Sequence, residues 1–154
     1  MQDILKFAHL AAAIVWLGGM ACLLFAVRPA LLAQLEPQPR ARLMVQIWQR
    51  FFNIVGVCVL VLLGSGAHLY TSGYRAAKTV GASLPVGWSV MAGAGLLMAL
   101  LFGHIYFAGF KKFKRAVAAG EFPLAAKAAT QIHTFVVANF VLGWLAIAAV
   151  RLLR

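Results

Sequence analysis

The sequence predicts an all-α, polytopic membrane protein folded as an antiparallel bundle of four transmembrane helices. Of its 154 residues, 64% are hydrophobic and only 11% are charged, whereas a soluble domain carries about a quarter charged residues. Four apolar runs are each long enough to cross a bilayer, and polar or basic segments separate them. We therefore expect one integral membrane domain, residues 1–154, with the lipid bilayer as its main partner.

The cations are distributed unevenly between the two sides of such a bundle. The first and third loops carry nine of them: Arg28, Arg40, Arg42, Arg50, Lys111, Lys112, Lys114, Arg115 and Lys127. The other side carries five: Lys6, Arg75, Lys78, Arg151 and Arg154. The positive-inside rule then places both termini on the outer side. Because the basic residues lie between apolar runs, anionic lipid explains the net charge of +11 better than nucleic acid does, and we expect no nucleic-acid partner.

The first two helices follow from the hydrophobic pattern. Helix one is expected at about residues 4–27, ending at Arg28-Pro29, because a proline suits a helix that stops at the interface. The segment before it lacks a strong positive region, so a cleavable signal peptide is not expected. Residues 41–50 show the pattern of a short amphipathic helix that lies on the membrane or extends helix two. Helix two itself is expected at about residues 51–71.

The second half of the chain repeats this alternation of apolar and polar segments. Residues 72–86 contain glycine, proline and two cations, and are predicted to form a loop. Helix three is expected at about residues 87–109. Residues 110–130 are basic at first and then alanine-rich, a composition typical of a helix. Helix four is expected at about residues 131–150.

Four histidines lie within or near the ends of these four runs: His9, His68, His104 and His133. An ionisable ring at membrane depth is costly and usually functional. In the predicted orientation, His9 and His68 lie in the outer half of the membrane and the other two in the inner half. The two levels are roughly 15–20 Å apart, so one metal ion cannot bind His9 and His104 together. Two pairs, one in each leaflet, are the natural grouping.

Two imidazoles on facing helices are the axial ligands of six-coordinate haem b. We therefore take all four histidines as candidate metal ligands, with one or two haem b groups as the expected cofactor. Small residues share the face of each outer histidine and would leave room for a porphyrin: Ala12 and Ala13 beside His9, and Gly64 and Ser65 beside His68. Trp16, seven residues after His9, is a candidate wall of the site, although simple packing is the more common role of a tryptophan at such a position.

The inner pair has bulkier neighbours, including Leu101, Phe107 and Val137, so its pocket should be tighter. The basic run after helix three could hold haem propionates there. The alternative for each histidine is a hydrogen bond between helices or a place in the headgroup region. Copper is the rival ligand, because Met20, Met91 and Met98 offer soft sulfur for Cu(I). A methionine stripe in a membrane helix more often serves packing.

Several motifs resemble a known family. His9 with Trp16-Leu-Gly18-Gly19, followed by Arg28-Pro29, resembles the opening of CopD-like integral membrane proteins, the copper-resistance D family. Arg50-Phe51-Phe52 and His104-Ile-Tyr106-Phe107 resemble the small relatives of that family in particular. The resemblance implies a multi-pass bundle in the bacterial inner membrane that handles copper or does redox work. The spacing of histidine and tryptophan in helix one is also similar to HemJ-type haem membrane proteins.

Three functions follow as hypotheses. The first is a haem b redox or electron-transfer protein with bis-histidine ligation, supplied by quinol or another small redox partner. The second is a copper-handling or copper-transport protein that uses histidine and methionine. The third is a membrane oxidase of porphyrinogen type. A homodimer is compatible with a bundle of this size.

Overall fold

The structure, a computed structural model, describes residues 2–153 and consists of four long helices, with no strand in that range. They are α1 Gln2–Gln34, α2 Pro37–Thr79, α3 Val86–Ala118 and α4 Phe122–Leu152. Each contains an apolar stretch long enough to cross a membrane. The predicted all-α bundle of four membrane-spanning helices is therefore confirmed. Because successive helices run in opposite directions, Gln2 and Leu152 lie at the same end of the bundle. We call this end of the bundle outer and the opposite end inner, after the orientation predicted from the sequence.

Helix α1 continues past the point where the sequence predicted its end. The chain forms a wide π-helical turn over Leu23–Val27, in which the backbone N–H of Arg28 donates to the carbonyl of Leu23. Pro29 then lies in the first turn of a further α-helical segment, Arg28–Gln34. Proline is tolerated in a first turn because its missing N–H has no partner there anyway. The wide turn therefore lets the helix pass a proline that was predicted to end it.

Helix α2 is 43 residues long, or about 65 Å at 1.5 Å per residue, which is twice the hydrocarbon thickness of about 30 Å. Residues 41–50 belong to the inner end of α2. Of the two arrangements expected for this segment, the extension of helix two is therefore the observed one. Residues 72–79, predicted to be a loop, are also helical. Gly73 packs there against the ring of Trp88, 3.0 Å from where a Cβ would stand, so this glycine serves a close helix contact rather than a turn.

Helix α3 also contains a π-helical turn, Ile105–Phe110, and ends at Ala118. Gly120 follows with φ +73°, a left-handed conformation that suits glycine, and separates α3 from α4. Residues 110–130 are therefore helical as expected, apart from this break. Together with the start of the long α2, they form the inner end of the bundle.

The four helices pack as two antiparallel pairs, α1 with α2 and α3 with α4. Glycine allows the second pair to approach closely: the N–H of Gly87 donates to the carbonyl of Leu153 at 3.0 Å, and a Cβ at Gly87 would collide with the carbonyl oxygen of Ala149. In the inner half of the bundle the two pairs meet through an aromatic layer, which consists of Trp48, Phe51, Phe52, Phe102, Tyr106, Phe110 and Phe113. In the outer half a cavity separates the pairs.

Candidate functional site

The outer cavity has a volume of about 600 Å³ and is lined by residues from all four helices. Its lining includes Lys6, His9, Trp16, Gly66, Tyr70, Met91 and Met98. Ligand sites in proteins commonly enclose about 300–1,000 Å³ and are mostly apolar with a few polar groups. The outer cavity meets both conditions, so it is the candidate functional site.

Small side chains keep this part of the bundle open. Alanine or glycine contributes to the lining from every helix: Ala13, Gly66, Ala67, Ala92, Gly95, Ala99, Gly143 and Ala146. Trp16 closes the end nearest the aromatic layer, where it is 5% exposed and packs edge-to-face on Phe102 with ring centroids 6.2 Å apart. Trp16 therefore both packs in the core and walls the cavity, the two roles considered for it. Of the small residues predicted beside His9, Ala13 lines the cavity and Ala12 is buried in the core.

His9 is held by the backbone and side chains of α2. Its Nδ1 lies 2.8 Å from the hydroxyl oxygen of Ser65, and that hydroxyl donates its own hydrogen to the carbonyl of Val61. The serine oxygen must therefore accept, so we assign the proton of the neutral imidazole to Nδ1. This leaves Nε2 with a free lone pair, the state in which histidine binds a metal or accepts a hydrogen bond.

Gly66 completes the seat of this imidazole. A Cβ at Gly66 would stand 3.2 Å from Cε1 of His9, which is closer than side chains normally approach. The His9 ring therefore packs directly on the backbone of α2, and its rotation is restricted from two directions. Such a fixed ring is what an axial ligand requires, because metal-binding histidines are oriented by their second ring nitrogen.

The polar groups of the outer cavity gather at the end towards the termini. Lys6 lies one turn before His9, and its ammonium group is 3.4 Å from the carboxylate of Asp3, with the lysine side chain 60% exposed. The hydroxyl groups of Tyr70 and Ser89 are 3.1 Å apart and join α2 to α3. A molecule in this cavity would meet a cation at its open end and apolar side chains along the rest of its length.

His68 does not share the outer cavity with His9, contrary to the predicted pairing. Its side chain is exposed and is not part of the lining. His68 is two residues from both Gly66 and Tyr70, which line the cavity, and positions two apart lie about 160° from each other around a helix. Gly64, expected to make room beside His68, is exposed with nothing near the position of a Cβ. Among the described residues, His9 is the one histidine that lines the cavity.

The inner histidines are not brought together either. His133 lines a cavity of about 30 Å³, shared with Arg28 and Trp48, which is room for about one water molecule. His104 is exposed and packs edge-to-face on Phe135, with ring centroids 5.1 Å apart. Because residues 133 and 135 lie on opposite sides of α4, the two imidazoles face away from each other. The inner pocket is tight, as expected, and does not have room for a porphyrin.

Sequence reasoning missed three residues of the site: Gly66, Lys6 and Tyr70. Ser65, predicted as a small residue beside His68, hydrogen-bonds His9 instead and thereby joins α1 to α2. The signal was present in part, because a serine in a membrane helix must direct its hydroxyl to another group.

The methionines considered as copper ligands divide into two groups. Met91 and Met98 line the outer cavity with His9, whereas Met20 is 1% exposed within the core. No group of three or more histidine, cysteine, aspartate or glutamate side chains suited to a metal ion occurs within residues 2–153. A metal in the outer cavity would thus depend on His9 together with sulfur, or on His9 and a cofactor that brings its own ligands.

Comparison with known proteins identifies one family. A family described as "Domain of unknown function (DUF4149)" matches residues 11–109, which run from the first half of α1, before Trp16, to the π-helical turn of α3. No curated protein and no solved structure matches the chain. The match begins two residues after His9 and includes Ser65, Gly66 and the α3 wall of the cavity.

Proposed function

The chain belongs to the DUF4149 family, and we propose that it is a haem b redox protein of the bacterial inner membrane, with a single haem site in the outer cavity. The observation that carries this proposal is the pairing of a fixed imidazole with adjacent space. His9 has a free Nε2, and it lines an apolar cavity of about 600 Å³. Mono-histidine ligation replaces the bis-histidine arrangement expected from the sequence, because His68 faces away.

The residues of the outer cavity fit a porphyrin in three respects. The volume lies within the range of cofactor sites. The lining is apolar over most of its area, as the macrocycle requires, and Trp16 offers a flat aromatic surface. Lys6, one helical turn from His9, lies at the open end, where a propionate carboxylate would find a cation. Haem bound there would supply one-electron chemistry between ferric and ferrous iron.

The chain's own groups would set the properties of such a site. His9 provides the axial lone pair, and Ser65 holds the imidazole in the required tautomer. Trp16 and the aromatic layer exclude water from the inner end of the cavity. Because one centre in the outer half cannot bridge a hydrocarbon core of about 30 Å, we propose that electrons are exchanged on the outer side, with quinol or another small reductant as donor.

Copper handling is the second candidate, and one specific observation favours it. Met91 and Met98 line the same cavity as His9, so two thioethers and an imidazole border one space. Sulfur and imidazole ligands suit Cu(I). The motifs that resemble CopD-like proteins would agree with this alternative, although the family that matches the chain is DUF4149. In this alternative the cavity would hold a metal ion without a porphyrin, and Lys6 would keep Asp3 as its carboxylate partner.

A visible absorption spectrum combined with metal analysis tests the proposal. The full chain is purified in detergent from cells supplied with iron and copper, and spectra are recorded before and after reduction with dithionite. We expect a sharp reduced α-band and bound iron. A colourless protein that carries copper would support the second candidate instead, and a protein with neither metal would contradict both.

A further inference from the structure

A second cavity lies at the inner end of α3, and none of the four histidines lines it. It is an open groove of about 460 Å³ between the end of α3 and the start of α4. Three cations and one carboxylate line it together with two large apolar side chains: Lys111, Lys112, Arg115, Glu121, Phe107 and Leu124. We call it the basic groove. The positive-inside rule accounts for cations on this side of the membrane, but it does not require three of them to border one concave site.

The packing of α3 fixes the direction in which these cations point. Phe113 is 1% exposed and packs on Trp48 of α2, with ring centroids 4.8 Å apart. Lys114, the next residue, faces α2 as well, and its ammonium group donates to the side-chain oxygen of Gln49 at 3.3 Å. Lys111, Lys112 and Arg115 are left on the other side of the helix and line the groove. The same basic run therefore supplies three groove residues and one residue outside it.

The groove joins an apolar surface to a cationic one over a short distance. Phe107 is 64% exposed in the membrane-spanning part of α3, and the ammonium group of Lys111 lies over its ring, 4.8 Å from the centroid. Four residues separate the two positions, a rise of about 6 Å along the helix axis. An anionic phospholipid makes the same transition, from acyl chain to phosphate, at the edge of the hydrocarbon core.

We propose that the basic groove binds the phosphate headgroup of an anionic phospholipid of the inner leaflet. Lys112 and Arg115 bind the phosphate, Lys111 lies between headgroup and hydrocarbon, and an acyl chain runs along Phe107. The net charge of the groove is positive even with Glu121 included, which complements an anionic headgroup. Basic pockets between helices on the cytoplasmic side are established binding places for such lipids. This site is independent of the outer cavity and of any cofactor in it.

Native mass spectrometry of the full chain in detergent tests the proposal, with dioleoylphosphatidylglycerol and dioleoylphosphatidylcholine as probes. These two lipids share acyl chains and differ in headgroup charge. We expect tighter binding of phosphatidylglycerol, and a loss of about fivefold for Lys112→Gln and again for Arg115→Gln. Glu121→Gln removes the one carboxylate of the groove and should tighten binding by up to about fivefold.

Lys114→Gln is the matched control, since it removes the same charge from the same run outside the groove, and it should change binding less than twofold. An equal loss in Lys114→Gln would show that overall charge, rather than a site, attracts the lipid, and would overturn the proposal. Equal binding of the two lipids would overturn it too. Displacement of phosphatidylglycerol by inorganic phosphate alone would assign the groove to a free anion instead. Circular dichroism checks that each variant is folded, and either of Lys112→Gln and Arg115→Gln remains informative if the other does not fold.

Discussion

The outer and inner halves of the bundle each contain two histidines, yet they offer very different spaces. In the outer half, alanine and glycine face the gap between the helix pairs, and a cavity of about 600 Å³ remains beside His9. In the inner half, aromatic rings fill the same gap, and His133 has about 30 Å³ beside it. The size of the side chains between the helix pairs, rather than the presence of histidine, decides where the bundle leaves an internal cavity.

The two halves also hold their helices together in different ways. Phe52, 3% exposed, contacts five aromatic side chains of the layer, with centroid distances from 5.2 to 6.5 Å. Three of these pairs, with Phe102, Tyr106 and Phe110, are edge-to-face, and such pairs contribute about 0.5–1.5 kcal/mol each beyond their buried area. The outer half instead relies on close backbone approaches at glycines such as Gly66 and Gly87. We therefore expect packing in the inner half to stabilise the bundle as a whole, so that the outer half can contain a cavity.

Removal of His9 should have the largest effect on the outer half. We expect His9→Ala to abolish the reduced α-band of the purified protein, because the cavity then has no other imidazole to bind iron. His68→Ala, which removes a ring on the opposite face of α2, should leave the band unchanged. The absorption spectrum of each variant at equal protein concentration measures this difference. Loss of the band in His68→Ala would restore the bis-histidine pairing.

Truncation of Phe52 should have the largest effect on the inner half. Phe52→Ala would leave a cavity in the aromatic layer and lower the free energy of unfolding by about 3 kcal/mol. Phe7→Ala is the control, because Phe7 is 72% exposed on α1 and its ring can be lost without leaving a hole in the core. Unfolding of both variants by sodium dodecyl sulfate in mixed micelles gives the comparison. Similar decreases in the free energy of unfolding for the two variants would mean that the aromatic layer does not stabilise the bundle more than an exposed ring does.

Ser65→Ala tests the hydrogen bond that orients His9. The imidazole would lose the acceptor of its Nδ1 proton, and partners of this kind typically account for 10- to 100-fold in metal affinity. We expect haem affinity to fall by about that factor, as measured by haem titration of the cofactor-free protein. Ser65→Thr retains the hydroxyl and should recover most of the affinity. Unaltered affinity in Ser65→Ala would show that the packing of the ring alone orients it.

The smallest effect is expected from a single methyl group beside His9. In Gly66→Ala the new Cβ stands 3.2 Å from Cε1, so the ring must move by a few tenths of an ångström. We expect a shifted absorption maximum and a loss of haem affinity below about tenfold. Gly64→Ala adds the same methyl group where nothing lies nearby, and it should have no effect. A larger effect from Gly64→Ala would place the site on the other face of α2.

The sequence allowed the number and order of the helices to be predicted because hydrophobicity over some 20 residues identifies a span. It could not predict that α1 would pass Pro29, because the π-helical turn that makes this feasible depends on packing around Leu23–Val27. Nor did it predict residues 72–79 as helix, since the contact of Gly73 with Trp88 comes from another helix.

The positions of the site residues along their helices could be predicted from the sequence, whereas their directions around the helix axes could not. Position along a membrane helix follows from counting residues, and His9 and its small neighbour Ala13, which were predicted to share a site, line the same cavity. Rotation about the helix axis is set by the packing of neighbouring helices. Periodicity gave little guidance, because α2 is apolar around much of its circumference within the membrane, and His68 was therefore assigned to a face that it does not occupy.

The ratio of haem b to protein in the purified wild-type chain tests the central claim most directly. It is measured as the pyridine haemochrome together with total iron and quantitative amino-acid analysis. The difference between the two halves predicts one haem per chain, held in the outer cavity. Two haems per chain would contradict the account, because the second porphyrin would have to lie in the inner half, where the aromatic layer leaves no room for it. The absence of haem would also contradict the account, because the outer cavity would then bind another ligand.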